Sequence, residues 1–205
     1  MMRALRKTGD RTGRFFGDAL AWRSAEARPY AGVAWGLIAG AVWFAAGIAG
    51  DPGWALPAIA GGYLVVLLAA VCAIDGRFGI IPDSLVLALA AGGALQAWLW
   101  GAGDLWWRGL EAAMVFAAAS LLRAGYRWLR GHDGLGFGDV KFVAAGTLWV
   151  GAEGIPALLL IAVASALVSL LILRAQGHEL HGKHAISFGP HLAIGVWWVW
   201  VASFP

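Results

Sequence analysis

Residues 66–89 read VLLAAVCAIDGRFGIIPDSLVLAL, two apolar runs joined by a short polar segment. Similar apolar runs fill most of the chain: 60% of its 205 residues are hydrophobic and 13% are charged, and the mean hydropathy is +0.73. A soluble domain of this length has too little interior to bury so much apolar surface. The sequence therefore predicts an all-α polytopic membrane protein.

The apolar runs predict about seven transmembrane helices, with the N-terminus inside and the C-terminus outside. The predicted spans are 31–49, 55–74, 84–101, 107–122, 140–152, 155–173 and 189–204. If they alternate in direction, all 15 Lys and Arg residues except Arg108 fall on one side. The positive-inside rule makes that side cytoplasmic. We therefore divide the chain into a basic cytoplasmic segment, residues 1–30, and a transmembrane domain, residues 31–205.

The basic and aromatic residues fit a lipid environment. Because the positive charges are accounted for by membrane orientation, we expect membrane lipid as a partner and no nucleic acid. Tryptophans near the predicted outer ends suggest an interfacial belt: Trp54, Trp98, Trp100, Trp106, Trp107, Trp149 and Trp200. Two polar residues within spans, Gln96 and Glu111, are expected to form hydrogen bonds between helices.

Asp75 is expected to end the second span at its cytoplasmic edge. Taken alone, it could be an ordinary acidic residue at a helix end. Pro82 follows it at the start of the third span, where Asp83 or Ser84 is the expected N-cap.

Asp139 lies in a second polar segment, GLGFGDVKF, residues 134–142. It begins the fifth predicted span, which is shorter than the roughly 20 residues that a full crossing needs. A helix N-cap is the simpler interpretation of this aspartate, but it does not explain the alternating glycines that precede it.

The predicted topology brings Asp75 and Asp139 to the same face of the membrane. Two carboxylates that share one proton can hydrolyse a peptide bond, because the ionised one activates water and the protonated one polarises the carbonyl. Like-charge repulsion favours this mixed state over double ionisation. Since the two titrate as a pair, the sequence assigns no separate role to either residue.

Three elements in this order resemble those of the type IV prepilin peptidases. IDGRFGIIPD, residues 74–83, resembles the family's first aspartate motif, and GLGFGDVKF matches its glycine-x-glycine-aspartate motif. ISFGPHLAIG, residues 186–195, is similar to the Phe-Gly-Pro element that opens its last span. The resemblance extends over roughly residues 55–204.

The resemblance implies a membrane aspartic endopeptidase of the bacterial inner membrane. Such enzymes cut the basic leader from prepilins or pseudopilins at the cytoplasmic face, in type IV pilus and type II secretion systems, and the resemblance implies no cofactor. By matching position, Asp75 and Asp139 are the catalytic pair. The residues implied to shape the site or contact substrate are Gly136, Gly138, Lys141, Pro82, Gly189 and Pro190.

The chain departs from the full-length family pattern in its cysteines. Many members carry two Cys-x-x-Cys pairs and also methylate the new N-terminus, whereas Cys72 is the single cysteine here. We therefore expect a short, peptidase-only form without methyltransferase activity. A histidine-rich loop, GHELHGKHA, lacks the His-Glu-x-x-His spacing, so we expect no metal site.

Two other functions compete with this interpretation. One is a presenilin-like intramembrane aspartic protease, which shares the glycine-aspartate motif. It is disfavoured because Ile74 precedes Asp75 and because Asp75 is expected at a helix end. The other is a proton-coupled transporter or assembly subunit that uses the same carboxylates as a relay. That function would call for more charged groups near mid-membrane than the sequence contains.

The asymmetry of the basic residues makes the topology testable. Because all Lys and Arg except Arg108 lie on one predicted side, reporter fusions after Gly177 should report a cytoplasmic location. Fusions at the C-terminus should report the opposite side. The reverse result at either point would contradict the seven-span topology.

Overall fold

The computed structural model describes residues 55–101, 104–132, 134–176 and 187–203, with residues 38, 41, 42 and 45. Its helices are α1 Ala55–Phe78, α2 Asp83–Trp100, α3 Asp104–Arg130, α4 Phe137–Ala175 and α5 Gly189–Ala202. Of these, α1 to α4 are long and apolar enough to cross a membrane, and these residues contain no strand. The prediction of a polytopic helical membrane protein is confirmed.

The helices extend beyond the predicted spans at two ends. α1 continues to Phe78, and α3 continues to Arg130, so that Arg123, Arg127 and Arg130 lie on a helix and not in a loop. The predicted fifth and sixth spans correspond to the two parts of α4, which meet at the non-helical residue Gly151. Segment 1–30 and most of the predicted first span, 31–49, lie outside the described residues. The total of seven spans and the orientation of the chain in the membrane therefore stay predictions.

The break at Gly151 reverses the chain. Gly151 has φ 74° and ψ 167°, which are not helical values. A Cβ built on Gly146 would lie 3.9 Å from Leu158 Cδ1. These two residues would be about 18 Å apart along a continuous helix. The parts of α4 before and after Gly151 therefore fold back against each other.

A cluster of charged side chains holds this turn to α3. Glu111 accepts a hydrogen bond from the Ala152 backbone N–H at 3.1 Å. Arg108 Nη1 lies 3.3 Å from Glu111 Oε2 and 3.4 Å from Glu153 Oε1. The predicted interhelical role of Glu111 is confirmed, since its carboxylate joins α3 to the turn of α4.

The centre of the bundle is α5, which is buried along most of its length. α5 packs against α4 and α1, and α4 also contacts α2 and α3. Gln96 joins three helices: it donates to the Trp149 carbonyl at 3.3 Å and accepts from Trp200 Nε1 at 2.8 Å. The predicted interhelical role of Gln96 is therefore confirmed.

The tryptophans divide into two groups. Trp149 is 4% exposed and Trp200 is fully buried, so the interfacial-belt prediction is wrong for both. Their indole N–H groups instead bond to partners on α2. The other described members of the predicted belt are exposed around the α2–α3 connection: Trp98, Trp100, Trp106 and Trp107.

We expect Gly151→Ala to destabilise the protein, because its backbone conformation is essentially restricted to glycine. The expected loss in the free energy of unfolding is about 1–3 kcal/mol. A new Cβ there would also collide with the Arg108 and Glu153 side chains. Thermal unfolding in detergent measures the effect.

The matched control is Gly62→Ala. Gly62 lies within α1 and has open space where a Cβ would be, so this variant should unfold at the wild-type temperature or slightly above it. Equal unfolding temperatures for the two variants would contradict the assigned role of Gly151.

Candidate active site

Asp75 is a buried carboxylate near the end of α1. The helix continues to Phe78, so the prediction that Asp75 terminates it is wrong. The side chain is 5% exposed and accepts two hydrogen bonds on Oδ2. The Gly189 backbone N–H donates one of them at 2.8 Å, and the Ser187 hydroxyl donates the other. Both donors lie at the start of α5, so Asp75 joins the ends of two helices.

Gly189 and Pro190 allow α5 to begin against this carboxylate. A Cβ on Gly189 would lie 2.5 Å from Asp75 Oδ2, which is too close for any other residue. Pro190 lies in the first turn, where the absence of a backbone N–H leaves no donor unsatisfied. These two predicted site-shaping residues are thus located at Asp75.

Asp139 lies in the first turn of α4, as predicted, and its side chain is half-buried. A Cβ on Gly136 would lie 2.9 Å from Asp139 Oδ2, and one on Gly138 would lie 3.4 Å from Ile81 Cβ. The glycines therefore let the chain approach both the Asp139 carboxylate and the segment that follows α1. Since Ile81 follows Asp75 closely in the chain, its contact with Gly138 brings the two aspartate-bearing segments together.

An ion pair joins the start of α2 to the first part of α4. Lys141 Nζ lies 2.5 Å from Asp83 Oδ1, so Lys141 is paired with Asp83 rather than with either member of the carboxylate pair. The prediction that Asp83 or Ser84 caps α2 is wrong, because Pro82 occupies the N-cap position and no side chain caps the helix. The pairing leaves the Asp83 carboxylate directed toward α4.

The segment of residues 134–136 before α4, which we call the glycine loop, also contacts α3. Arg123 Nε donates to the Leu135 carbonyl at 3.0 Å, and its guanidinium carbon lies 5.4 Å from the Phe137 ring centre. Lys141 Nζ lies 4.8 Å from the centre of the same ring. Cations near an aromatic ring are attracted to its face. Arg123 therefore fixes the loop that leads into Asp139, a role that its expected position in a loop did not indicate.

Ser187 is the site residue that the sequence missed. It stands beside the Phe-Gly-Pro element, but its partner, Asp75, is 112 residues away in the chain. No local pattern marks such a contact. The loop residues considered for a metal lie outside the described residues: His178, Glu179, His181 and His184. Within the described residues, no group of three or more potential ligands could hold a metal ion.

The fold defines a helical membrane protein, and its candidate site contains Asp75 near the end of α1 and Asp139 in the first turn of α4. Residues 62–173 match the type IV leader peptidase family, and the chain belongs to this family. Its membership distinguishes the chain from presenilin-like proteases. The position of Asp75 does not, because this residue lies within a helix. No solved structure matches the chain.

Similar proteins are named prepilin leader peptidase/N-methyltransferase. That of Burkholderia pseudomallei is 36% identical over 137 residues, which are 64% of this chain and 42% of the relative. That of Dickeya chrysanthemi is 33% identical over 184 residues, which are 87% and 59% of the two chains. That of Neisseria gonorrhoeae is 30% identical over 156 residues, 76% and 53%. The chain spans about half the length of these curated relatives.

The Lys141–Asp83 pair should contribute little to stability, since the Asp83 side chain is 70% exposed. A double-mutant cycle with Lys141→Met and Asp83→Asn should give a coupling of about 0.2–1 kcal/mol in the free energy of unfolding. High salt should reduce it, because exposed charges are screened. A coupling several times larger would mean that the pair is buried in the membrane-embedded protein.

Proposed function

We propose that this protein is an aspartic endopeptidase that removes the leader peptide of prepilins or pseudopilins. The observation that carries the proposal is the buried Asp75 carboxylate near the end of α1, with the backbone beside Asp139 packed against Ile81 of the segment that follows α1. Ionisable side chains buried in a membrane-embedded bundle are rare and usually functional, so the burial of Asp75 supports the proposal. The names of the relatives supply the substrate class.

The proposed chemistry uses one water molecule and the single proton that the two carboxyl groups share. The ionised carboxylate takes a proton from water as the water oxygen bonds to the scissile carbonyl carbon. The protonated partner donates to the carbonyl oxygen. When the tetrahedral intermediate collapses, the C–N bond breaks, the amine nitrogen takes a proton from the pair, and one hydroxyl group of the intermediate returns a proton to the pair. The pair then holds one proton, as it did at the start.

The proposed site of cleavage is the cytoplasmic edge of the bacterial inner membrane. The predicted orientation places the ends of α1 and α4 that carry Asp75 and Asp139 on the side rich in basic residues. A substrate with a short basic leader and an apolar helix fits this location, because its positive charges stay on the cytoplasmic side. The scissile bond then lies between the leader and the membrane.

The proposal concerns peptidase activity alone and includes no methyl transfer. Both carboxylates belong to the described bundle, and their chemistry requires only a water molecule.

Replacing either carboxylate should abolish cleavage. Asp75→Asn and Asp139→Asn keep the size of the side chain, but a lone carboxylate cannot serve as both base and acid. The double variant should be no worse than either single one, because the two residues act as a unit. The measurement is cleavage of a prepilin by the purified protein in detergent, followed by gel shift and mass spectrometry.

The control for these variants is Asp83→Asn, which also replaces a carboxylate by an amide, at the first residue of α2. Asp83 is exposed and takes part in a surface pair, so this variant should retain cleavage within about tenfold of wild type. Normal cleavage by Asp75→Asn together with an inactive Asp83→Asn would show that the proposed pair is incorrect. Normal cleavage by all three variants would refute the aspartic mechanism.

A further inference from the structure

Ser187 and the Gly189 backbone N–H form a pair of donors on a single oxygen of Asp75. The Gly189 nitrogen lies 2.8 Å from Asp75 Oδ2, and this hydrogen bond is buried. The Ser187 hydroxyl donates a hydrogen bond to the same oxygen. We infer that these donors hold Asp75 as the ionised member of the carboxylate pair, with Ser187 as its positioning residue. This inference rests on the proposed peptidase function and assigns separate roles to the two aspartates.

The argument begins with burial. Asp75 is 5% exposed, so water cannot solvate its charge, and an ionised carboxylate there requires donors from the protein. Hydrogen bonds donated to a carboxylate favour its charged form. They are also stronger than bonds between neutral groups. Two donors on Oδ2 therefore meet the requirement of an anion, while a protonated carboxyl would need an acceptor as well.

The start of α5 strengthens the same preference. Gly189 is the first residue of the helix, so the positive end of the helix dipole points at Asp75. Pro190 has no N–H, and the His191 N–H bonds to the Phe188 carbonyl at 3.0 Å. The Gly189 N–H is therefore the donor of this first turn that is directed at the carboxylate.

Asp139 has a different environment. It also lies at the start of a helix and accepts a backbone hydrogen bond from Gly136, but this is one donor against two at Asp75, and its side chain is half-buried rather than buried. Its carboxylate is thus the more accessible of the two to a substrate carbonyl. The charge of Asp75 disfavours a second negative charge beside it. Asp139 is accordingly the member that carries the shared proton.

These environments divide the reaction steps. Both donors to Asp75 among the described residues end on Oδ2, which leaves Oδ1 to accept the proton of the attacking water. Asp139 donates its proton to the carbonyl oxygen and recovers one as the intermediate collapses. Asp75 passes the proton taken from water to the leaving amine. Ser187 itself does not touch the substrate in this scheme.

The kinetic test compares Ser187→Ala with Ser187→Thr, using the full chain in detergent and a prepilin substrate. Loss of one charge-assisted hydrogen bond should lower kcat about tenfold or more. KM should stay within about twofold, because Ser187 acts through Asp75 and not on bound substrate. Ser187→Thr keeps the hydroxyl and should restore most of kcat.

The matched control is Ser203→Ala, at the opposite end of α5. The Ser203 hydroxyl bonds to the Trp200 carbonyl and lies far along the helix from Asp75, so cleavage should be unchanged. Wild-type kcat in Ser187→Ala would overturn the inference, as would an equal loss in Ser187→Thr and Ser187→Ala. Cleavage lost in Asp75→Asn but intact in Ser187→Ala would leave the proposed function standing and remove this role of Ser187.

Infrared spectroscopy tests the charge state without relying on cleavage. With isotope-labelled aspartate at neutral pH, the difference spectrum between wild type and Ser187→Ala should show a shift of an ionised carboxylate band. A shift of a protonated carboxyl band would show that Ser187 accepts a hydrogen bond from a protonated Asp75 and would reverse the assignment. Absence of any shift would rule out the bond. This result stands even if the wild-type protein cleaves no prepilin.

Discussion

The burial of a carboxylate at Asp75 constrains much of the described structure. A carboxyl group buried inside a helical bundle needs hydrogen-bond partners, and α1 cannot supply donors because its backbone N–H groups are used within the helix. The donors come from the start of α5, where a helix has unsatisfied N–H groups. This requirement brings α5 against α1 and excludes a side chain at Gly189. The position of the most buried helix therefore follows from the position of one polar group.

The second carboxylate depends on a different constraint, the length of the first part of α4. From Phe137 to the break at Gly151 this part spans about 21 Å, at 1.5 Å per residue. The apolar layer of a bilayer is about 30 Å thick. If the break lies near the far side of the bilayer, Asp139 begins its helix within the thickness of the membrane rather than beyond it. Arg108 and Glu111 hold the turn at the other end, so a cluster remote from Asp139 contributes to its depth.

The sequence predicted those features that depend on local composition. Apolar runs reveal buried or lipid-facing helices, and alternating glycines mark a backbone that must approach something closely. Hence the helical membrane class and the placement of Asp139 at a helix start were predictable. Hydropathy marks where a helix enters lipid, but not where it ends, since polar residues also form helices. For this reason α3 continues past the predicted loop boundary, and α1 continues past Asp75.

Other features depend on contacts between distant parts of the chain. Ser187 donates to a carboxylate far away in the sequence, and a serine before a Phe-Gly-Pro element carries no local sign of it. Trp149 and Trp200 have the composition of belt residues, yet partners on α2 satisfy their indole N–H groups and allow full burial. In both cases a polar group is buried because its partner is supplied by another helix. Pattern reasoning cannot identify that partner before the helices are arranged.

The contacts around the glycine loop show how rigidity can be supplied outside a reacting pair. Lys141 and Arg123 both lie near the Phe137 ring, and Lys141 also pairs with Asp83 of the segment after α1. Each exposed contact is weak by itself. Together they connect α2, α3 and α4 next to Asp139, while Asp75 is fixed separately through α5. The proposed mechanism requires that the two carboxylates keep their spacing during the reaction. Holding its two members from different sides of the bundle provides this without placing any further charge between them.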